Sequence, residues 1–313
     1  MTPSVSVAIP VYNEEETLPE LYRRLTDVLR GMDISYELVF VDDGSRDRSW
    51  ELLRGLHADD SEHVRALRFS RNFGHHIAIT AAMDAAKGDT VVLMDADLQD
   101  RPEVIPDLYA KLEEGYDVVY GNRVNKKFGF FKRATSTMFV SLMNRISSGE
   151  HSISTNIFRI CRREVIDAVC ACREQHRFVV GLVSWVGFDQ TSIDVEHAER
   201  FAGQTKYSLW RMVRLALNSI TAFSTAPLQL ASWLGIIVSL CSFGLAGVWI
   251  VQKLIWDTAV EGWTSTLVVL LFLGGVQLIT LGILGEYVGR TYSQIQARPL
   301  YIVSKTLGQP HEL

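Results

Sequence analysis

The chain has 313 residues, enough for one large domain or two modest ones. It is 48% hydrophobic and 21% charged, which excludes global disorder, and its formal net charge of −5 speaks against a general nucleic-acid-binding surface. A mean hydropathy of +0.11 in a chain with 31 Lys/Arg and 36 Asp/Glu points to two populations behind one average, one charged and one very apolar.

Met1 to Tyr12 carries no signal-peptide pattern and already reads as a strand. Over the first 200 residues short β-rich runs alternate with helix-length stretches. The runs are Val5–Ile9, Tyr36–Val41, Val64–Arg68, Thr90–Met94 and Val118–Gly121. The stretches are Glu14–Leu29, Asp47–Leu56, His75–Ala86 and Val104–Glu114. This rhythm predicts a mainly parallel, doubly wound α/β sheet, whose ligands bind at the carboxyl ends of its strands. Polar groups follow all five strands: Pro10 to Glu15, Asp42 to Ser45, Ser70 to Gly74, Asp95 to Asp100, and Asn122-Arg123. Any one of these could be a turn or helix cap, and Asp47 reads as a cap. Five together read as a site.

Asp95-Ala96-Asp97 has the clearest chemistry. Two carboxylates around one residue at a strand end can face a divalent cation, and Mg²⁺ is commonly held by one or two carboxylates plus substrate phosphates. A nucleoside diphosphate is the natural partner. Neither a P-loop nor a G-x-G-x-x-G after the first strand is present, which argues against ATPase and dinucleotide chemistry. His75 and His76 read as a helix-start pair without catalytic duty. Four cysteines, with Cys170 and Cys172 two apart, form neither a disulfide framework nor a zinc pattern, and a reducing compartment is expected.

Further on, Leu209, Met212, Val213, Ala216, Leu217 and Ile220 recur at helical spacing, which suits an amphipathic helix in the headgroup region or one packed on the soluble domain. Leu228 to Gln252 and Trp263 to Gly285 then carry no charge. Each run exceeds the ~18–20 residues needed to span a bilayer. Gly235, Gly244, Gly247, Gly274, Gly275 and Gly282 would allow close helix approach. The short connection makes the pair a hairpin. Lys206, Arg211 and Arg214 precede it and Arg290, Arg298 and Lys305 follow it, so the positive-inside rule puts both termini in the cytoplasm. Trp210, Trp249 and Trp263 suit membrane boundaries, and Trp185 reads as a core or interface anchor.

The segments IPVYNEEE, VFVDDGSRD, SRNFG and MDADLQDRPE, in this order and spacing, resemble the family 2 glycosyltransferases of GT-A fold. AERFAGQTKYSLWRM, followed by two spans ending in LGEYVGRTY, is similar to the polyisoprenyl-phosphate glycosyltransferases, including bactoprenol glucosyltransferases, the undecaprenyl-phosphate aminoarabinose transferases and, more distantly, dolichol-phosphate mannose synthase. The resemblance implies a cytoplasmic GT-A catalytic domain over 1–205, an interfacial helix over 206–226, two transmembrane helices within 227–290 (about 228–252 and 264–286) and a cytoplasmic tail over 291–313. It implies a multi-pass protein of the cytoplasmic membrane, a UDP-sugar donor, a polyprenyl (undecaprenyl) phosphate acceptor, Mg²⁺ or Mn²⁺, and a homo-oligomer.

On the matching positions, Pro10, Tyr12 and Glu14 would line the base and ribose site. Asp43 would accept a hydrogen bond from uracil with Asp42 beside it, and Arg71 could pair with the diphosphate. Asp97 would be the principal metal ligand and Asp95 the second contact, with Gln99 and Asp100 facing the sugar. Arg123, Arg133 and Thr137 would hold the acceptor phosphate. Arg200 and Lys206, in R-x-x-G-x-x-K-Y, would sit before the interfacial helix, and Lys126, Lys127 and Lys132 would attract anionic headgroups. One departure stands out: Ile157 occupies the place of a family Asp regarded as a candidate base, so no carboxylate base is assigned there. The implied reaction is inverting transfer of one sugar, with glucose the best guess and galactose, N-acetylglucosamine or amino-arabinose open. A processive polysaccharide synthase would need more spans and a Q-x-x-R-W motif. A catalytically silent scaffold fits Ile157 but not the intact Asp95/Asp97 pair.

Overall fold

The computed structural model describes residues 3–124, 157–196, 226–256 and 262–308. The chain divides into two compact units, Met1–Leu209 with Pro299–Leu313, and Trp210–Arg298.

The first unit is built on β1 (Val5–Val11), β2 (Tyr36–Asp42), β3 (Val64–Phe69), β4 (Thr90–Leu93), β5 (Val118–Val124), β6 (Arg159–Arg162), β7 (Gln190–Glu196) and β8 (Val303–Leu307). Its helices are α1 (Leu18–Gly31), α2 (Ser49–Asp59), α3 (His75–Ala85), α4 (Ile105–Glu113), α5 (Arg163–Ala171) and α6 (Val179–Trp185). The sheet order is β7-β5-β6-β4-β1-β2-β3-β8. β4, β1, β2 and β3 run parallel, while β6 is inserted antiparallel between β4 and β5, and β8 runs antiparallel along β3. The five strands and four helices expected from the sequence are present within a few residues. β6, β7 and β8 are additions. β6 is four residues long with Arg at each end, a pattern that becomes a strand only because β4 and β5 flank it.

β1 reads VSVAIPV and is buried throughout, as befits a strand covered on both faces. Val5, Val7, Ile9 and Val11 join Leu18, Leu21, Leu25 and Leu29 of α1 and Leu108 and Leu112 of α4 in one core. The leucines of α1 recur every three or four residues, which is the apolar stripe that seats it. The alternate face of β1 and β2 carries α3, whose alanines permit close packing. Strand order reverses between β1 and β4, and in open α/β sheets the carboxyl ends at such a switch point are where ligands bind.

The second unit contains α7 (Ala226–Trp256) and α8 (Trp263–Ile295), which pack on each other. Both are long and apolar enough to cross a membrane. Leu230, Leu240, Phe243, Leu270, Phe272 and Leu278 are all at least 60% exposed, a surface a water-soluble monomer rarely tolerates. The glycines behave otherwise than expected: a Cβ on Gly235, Gly244, Gly247, Gly274, Gly275 or Gly282 would meet no atom within 4 Å. Among the described residues they are not where α7 and α8 touch. The expected interfacial helix lies outside the described residues.

Candidate active site

Three strand-end loops interlock at the switch point. Pro10 is tolerated in a central strand for a specific reason. The Ala8 carbonyl accepts from Met94 N–H on the β4 side and the Val11 carbonyl accepts from Asp43 N–H on the β2 side. By alternation Pro10 faces the β4 side, beyond the end of β4 at Leu93, so its missing N–H breaks no ladder bond. Asn13 then turns the chain in the left-handed region, with φ 56°. Its N–H donates to Ser45 Oγ at 3.0 Å, its Oδ1 accepts from Arg46 N–H at 2.8 Å, and Glu14 N–H donates to Ser49 Oγ at 2.8 Å. Asp47 does more than cap: it accepts from Ser49 N–H at 3.0 Å and from Glu15 N–H at 3.1 Å. Tyr12 stands 43% exposed at the rim, and Glu14 accepts the Thr17 hydroxyl at 2.9 Å.

The Asp42-Asp43 pair divides into two jobs. The Asp42 side chain is wholly buried, accepts from Ser45 N–H at 2.8 Å and pairs with Arg68 Nε at 3.1 Å. It shapes the turn from inside. Asp43 accepts Phe73 N–H at 2.6 Å and Gly74 N–H at 3.0 Å, and its carbonyl accepts Asn72 Nδ2 at 3.1 Å. Burial pushes the Asp43 carboxyl above its ordinary range, and the two N–H donors oppose that rise. Each oxygen keeps a second lone pair. Gly44 is required here: its φ is +73°, and a Cβ would lie 2.8 Å from Arg71 C and 2.9 Å from Asn72 N. Arg71 is exposed, with its guanidinium 4.2 Å from the Phe73 ring centroid.

Beyond β4, Asp95, Asp97 and Gln99 are half-exposed while Ala96, Leu98 and Asp100 are buried. The alternation separates an open side from a buried one. Asp97 accepts Gln99 N–H at 3.1 Å, and Leu98 holds φ 59° with its side chain in the core. That strained residue is pinned by burial and sets where the carboxylates point. Asp100, expected to face the sugar with Gln99, is buried, 3% exposed.

His75, the first residue of α3, places Nε2 3.3 Å from Asp95 Oδ1. Its surroundings push its pKa down, while the carboxylates of Asp43 and Asp97 pull it up. The sequence reading of the two histidines did not include this contact. The available signal was position: a helix that starts directly at a strand-end loop aims its first side chain toward the strand ends.

At the end of β5, Asn122 Nδ2 donates to Asp194 Oδ1 of β7 at 3.0 Å. Arg123 lies beside Val195 in the ladder. Gly121 leaves room for Phe158 and Val195, each 3.1 Å from where its Cβ would be. Ile157 is half-buried just before β6. Arg133, Thr137, Arg200 and Lys206 lie outside the described residues. Trp185 is 67% exposed and so belongs to no core. Among the described residues no group of three or more His, Cys, Asp or Glu forms a metal cage. Two carboxylates alone fit a hard divalent cation whose remaining ligands are phosphate oxygens and water.

A sheet of this order, with polar loops at the switch point and Asp95-Ala96-Asp97 beyond β4, is that of a GT-A fold. The chain belongs to the glycosyl transferase family 2, which residues 6–170 match, and is a glycosyltransferase. It is 46% identical over 304 residues to an uncharacterized glycosyltransferase of Bacillus subtilis, YkcC, covering 97% of this chain and 94% of that one. It is 40% identical over 304 residues to the SfII prophage-derived bactoprenol glucosyl transferase of Shigella flexneri, covering 96% and 98%. It is 39% identical over 306 residues to the undecaprenyl-phosphate 4-deoxy-4-formamido-L-arabinose transferase of Proteus mirabilis, covering 97% and 94%. Among solved structures it is similar to glucosyl-3-phosphoglycerate synthase from Mycobacterium tuberculosis in complex with Mn²⁺, UDP and phosphoglyceric acid, with a TM-score of 0.51, 18% identity, and 70% of this chain and 78% of that one covered.

Proposed function

We propose that this protein transfers one sugar, glucose in the first instance, from a UDP-sugar to polyprenyl phosphate at the cytoplasmic face of a membrane. The observation that carries the reading is the pair Asp95 and Asp97, half-open beyond β4, in a chain that also bears two exposed apolar helices. Relatives named for bactoprenol and undecaprenyl phosphate match nearly the whole length, apolar helices included.

Tyr12, Glu14 and Asp43 receive the nucleoside, and Arg71 meets the diphosphate. Asp97 and Asp95 hold a divalent cation, which when bound neutralises charge on the leaving diphosphate. Gln99 reaches the sugar. Arg123, Arg133, Thr137, Arg200 and Lys206 collect the acceptor phosphate, by forked contacts from Arg and a point charge from Lys. A phosphate monoester is already anionic near neutral pH, so it needs positioning more than deprotonation, and Ile157 is compatible with turnover. The phosphate oxygen attacks the anomeric carbon in line, a new C–O bond forms with inversion, and the nucleoside diphosphate leaves.

Incubation of the full-length protein with undecaprenyl phosphate and a panel of labelled nucleotide sugars tests the reading. UDP-glucose is expected to label the lipid. The arabinose relative favours a second reading with another sugar on the same lipid, which the same panel detects. D97N should lower metal-dependent transfer by about 10²-fold or more while melting like the unaltered protein. Unchanged transfer by D97N would sink the metal assignment.

A further inference from the structure

We propose that the chain emerging from the second apolar helix braces the donor site, with Tyr301 as a positioning residue for the β3–α3 loop. The inference rests on the donor reading above. Beyond α8 the chain returns to the first unit, and β8 pairs with β3. A strand there could merely cover a sheet edge. Three features go further.

The pairing reaches the loop itself: Ser70 N–H donates to the Ile302 carbonyl at 2.9 Å, and the register shifts between Arg68 and Phe69. Ser304 Oγ donates to the Arg68 and Phe69 carbonyls at 3.1 and 3.2 Å. Tyr301 ties the last residue of the strand before the loop to the C-terminal end of the helix after it. Its ring stacks on Phe69 at 5.1 Å, and its hydroxyl donates to Asp84 Oδ2 of α3 at 2.8 Å. Asp84 is in turn held by the Arg173 fork at 2.8 and 3.0 Å.

The stack then continues into the site. Phe69 meets Phe73 edge-on at 5.5 Å, Phe73 carries the Arg71 guanidinium on its ring, and its N–H donates to Asp43. Tyr301, Phe69 and Phe73 thus form a continuous aromatic line from the returning strand to the two groups assigned to the nucleotide. Each junction is an aromatic or hydrogen-bonded contact of the kind that shifts affinity by a few-fold to about tenfold.

The test uses the full-length protein in lipid nanodiscs. Mn²⁺–UDP affinity is measured by calorimetry, and donor and acceptor kinetics by lipid labelling. Y301A is expected to weaken UDP binding and raise the donor KM by about tenfold, leaving kcat and the acceptor KM within about twofold. Y301F, which keeps the stack, should lose only about two- to threefold. Affinity and KM are read per competent molecule, so partial misfolding does not mimic the result. Unaltered donor affinity in Y301A would overturn the inference, as would equal losses in both KM values and kcat. Failure of the unaltered protein to bind UDP would instead overturn the donor reading, and this inference with it.

Discussion

Asp42 and Asp43 are adjacent and chemically identical, yet one is an internal strut and the other holds the β3–α3 loop through the Phe73 and Gly74 N–H groups. D42N leaves Arg68 without its anionic partner in a buried setting and should cost about 1–3 kcal/mol. A lowered melting temperature with an unchanged donor KM checks this. His76 gives a pH signature. Burial first, then the neighbouring His75 and Arg177, push its imidazole down to about 4. The folded protein therefore keeps it neutral, while the unfolded chain takes up a proton below about 6.5. Stability is full above that pH, falls as pH drops toward 4, and loses up to about 3 kcal/mol on the way. Melting curves across this window should be flatter for H76Q than for the unaltered protein; equal slopes would exclude His76 as the source. These residue roles were only partly legible in the sequence. The motif showed that carboxylates gather after the strands, but which one turns inward depends on Ser45 in the same turn and on Arg68, Phe73 and Gly74, brought there by β3 and the loop after it.

At the scale of elements, period and propensity carried the reading well where a strand is wholly apolar or a helix has a clear stripe. β1 to β5 and α1 to α4 are cases of local pattern agreeing with tertiary demand. The pattern fails where a strand is short or polar: β6, β7 and β8 exist because neighbours offer them ladder partners. Gly44 belongs to this scale, since it lets two loops cross. G44A forces a Cβ into the Arg71–Asn72 backbone at a positive φ. Donor affinity should drop about tenfold or more and the melting temperature should fall. Calorimetric titration with UDP, alongside a melt, checks both.

For the whole molecule, β1 and β8 share one sheet although two long apolar helices separate them in sequence. Tags at the two ends should therefore show the same protease accessibility in oriented vesicles, and both should lie on the cytoplasmic side, given the Lys/Arg excess flanking the helices. Opposite accessibility would refute the paired crossing. The sequence by itself determined the βαβ order, the polar strand-end loops and the two apolar helices, because periodicity, charge and turn residues are local properties. Tertiary structure alone decided that Asp42 is a strut, that Asp100 is buried, that His75 reaches Asp95, and that the returning chain stacks through Phe69 and Phe73 toward Arg71. Those outcomes depend on which strands become neighbours, and neighbours far apart in the chain leave no mark in its local pattern.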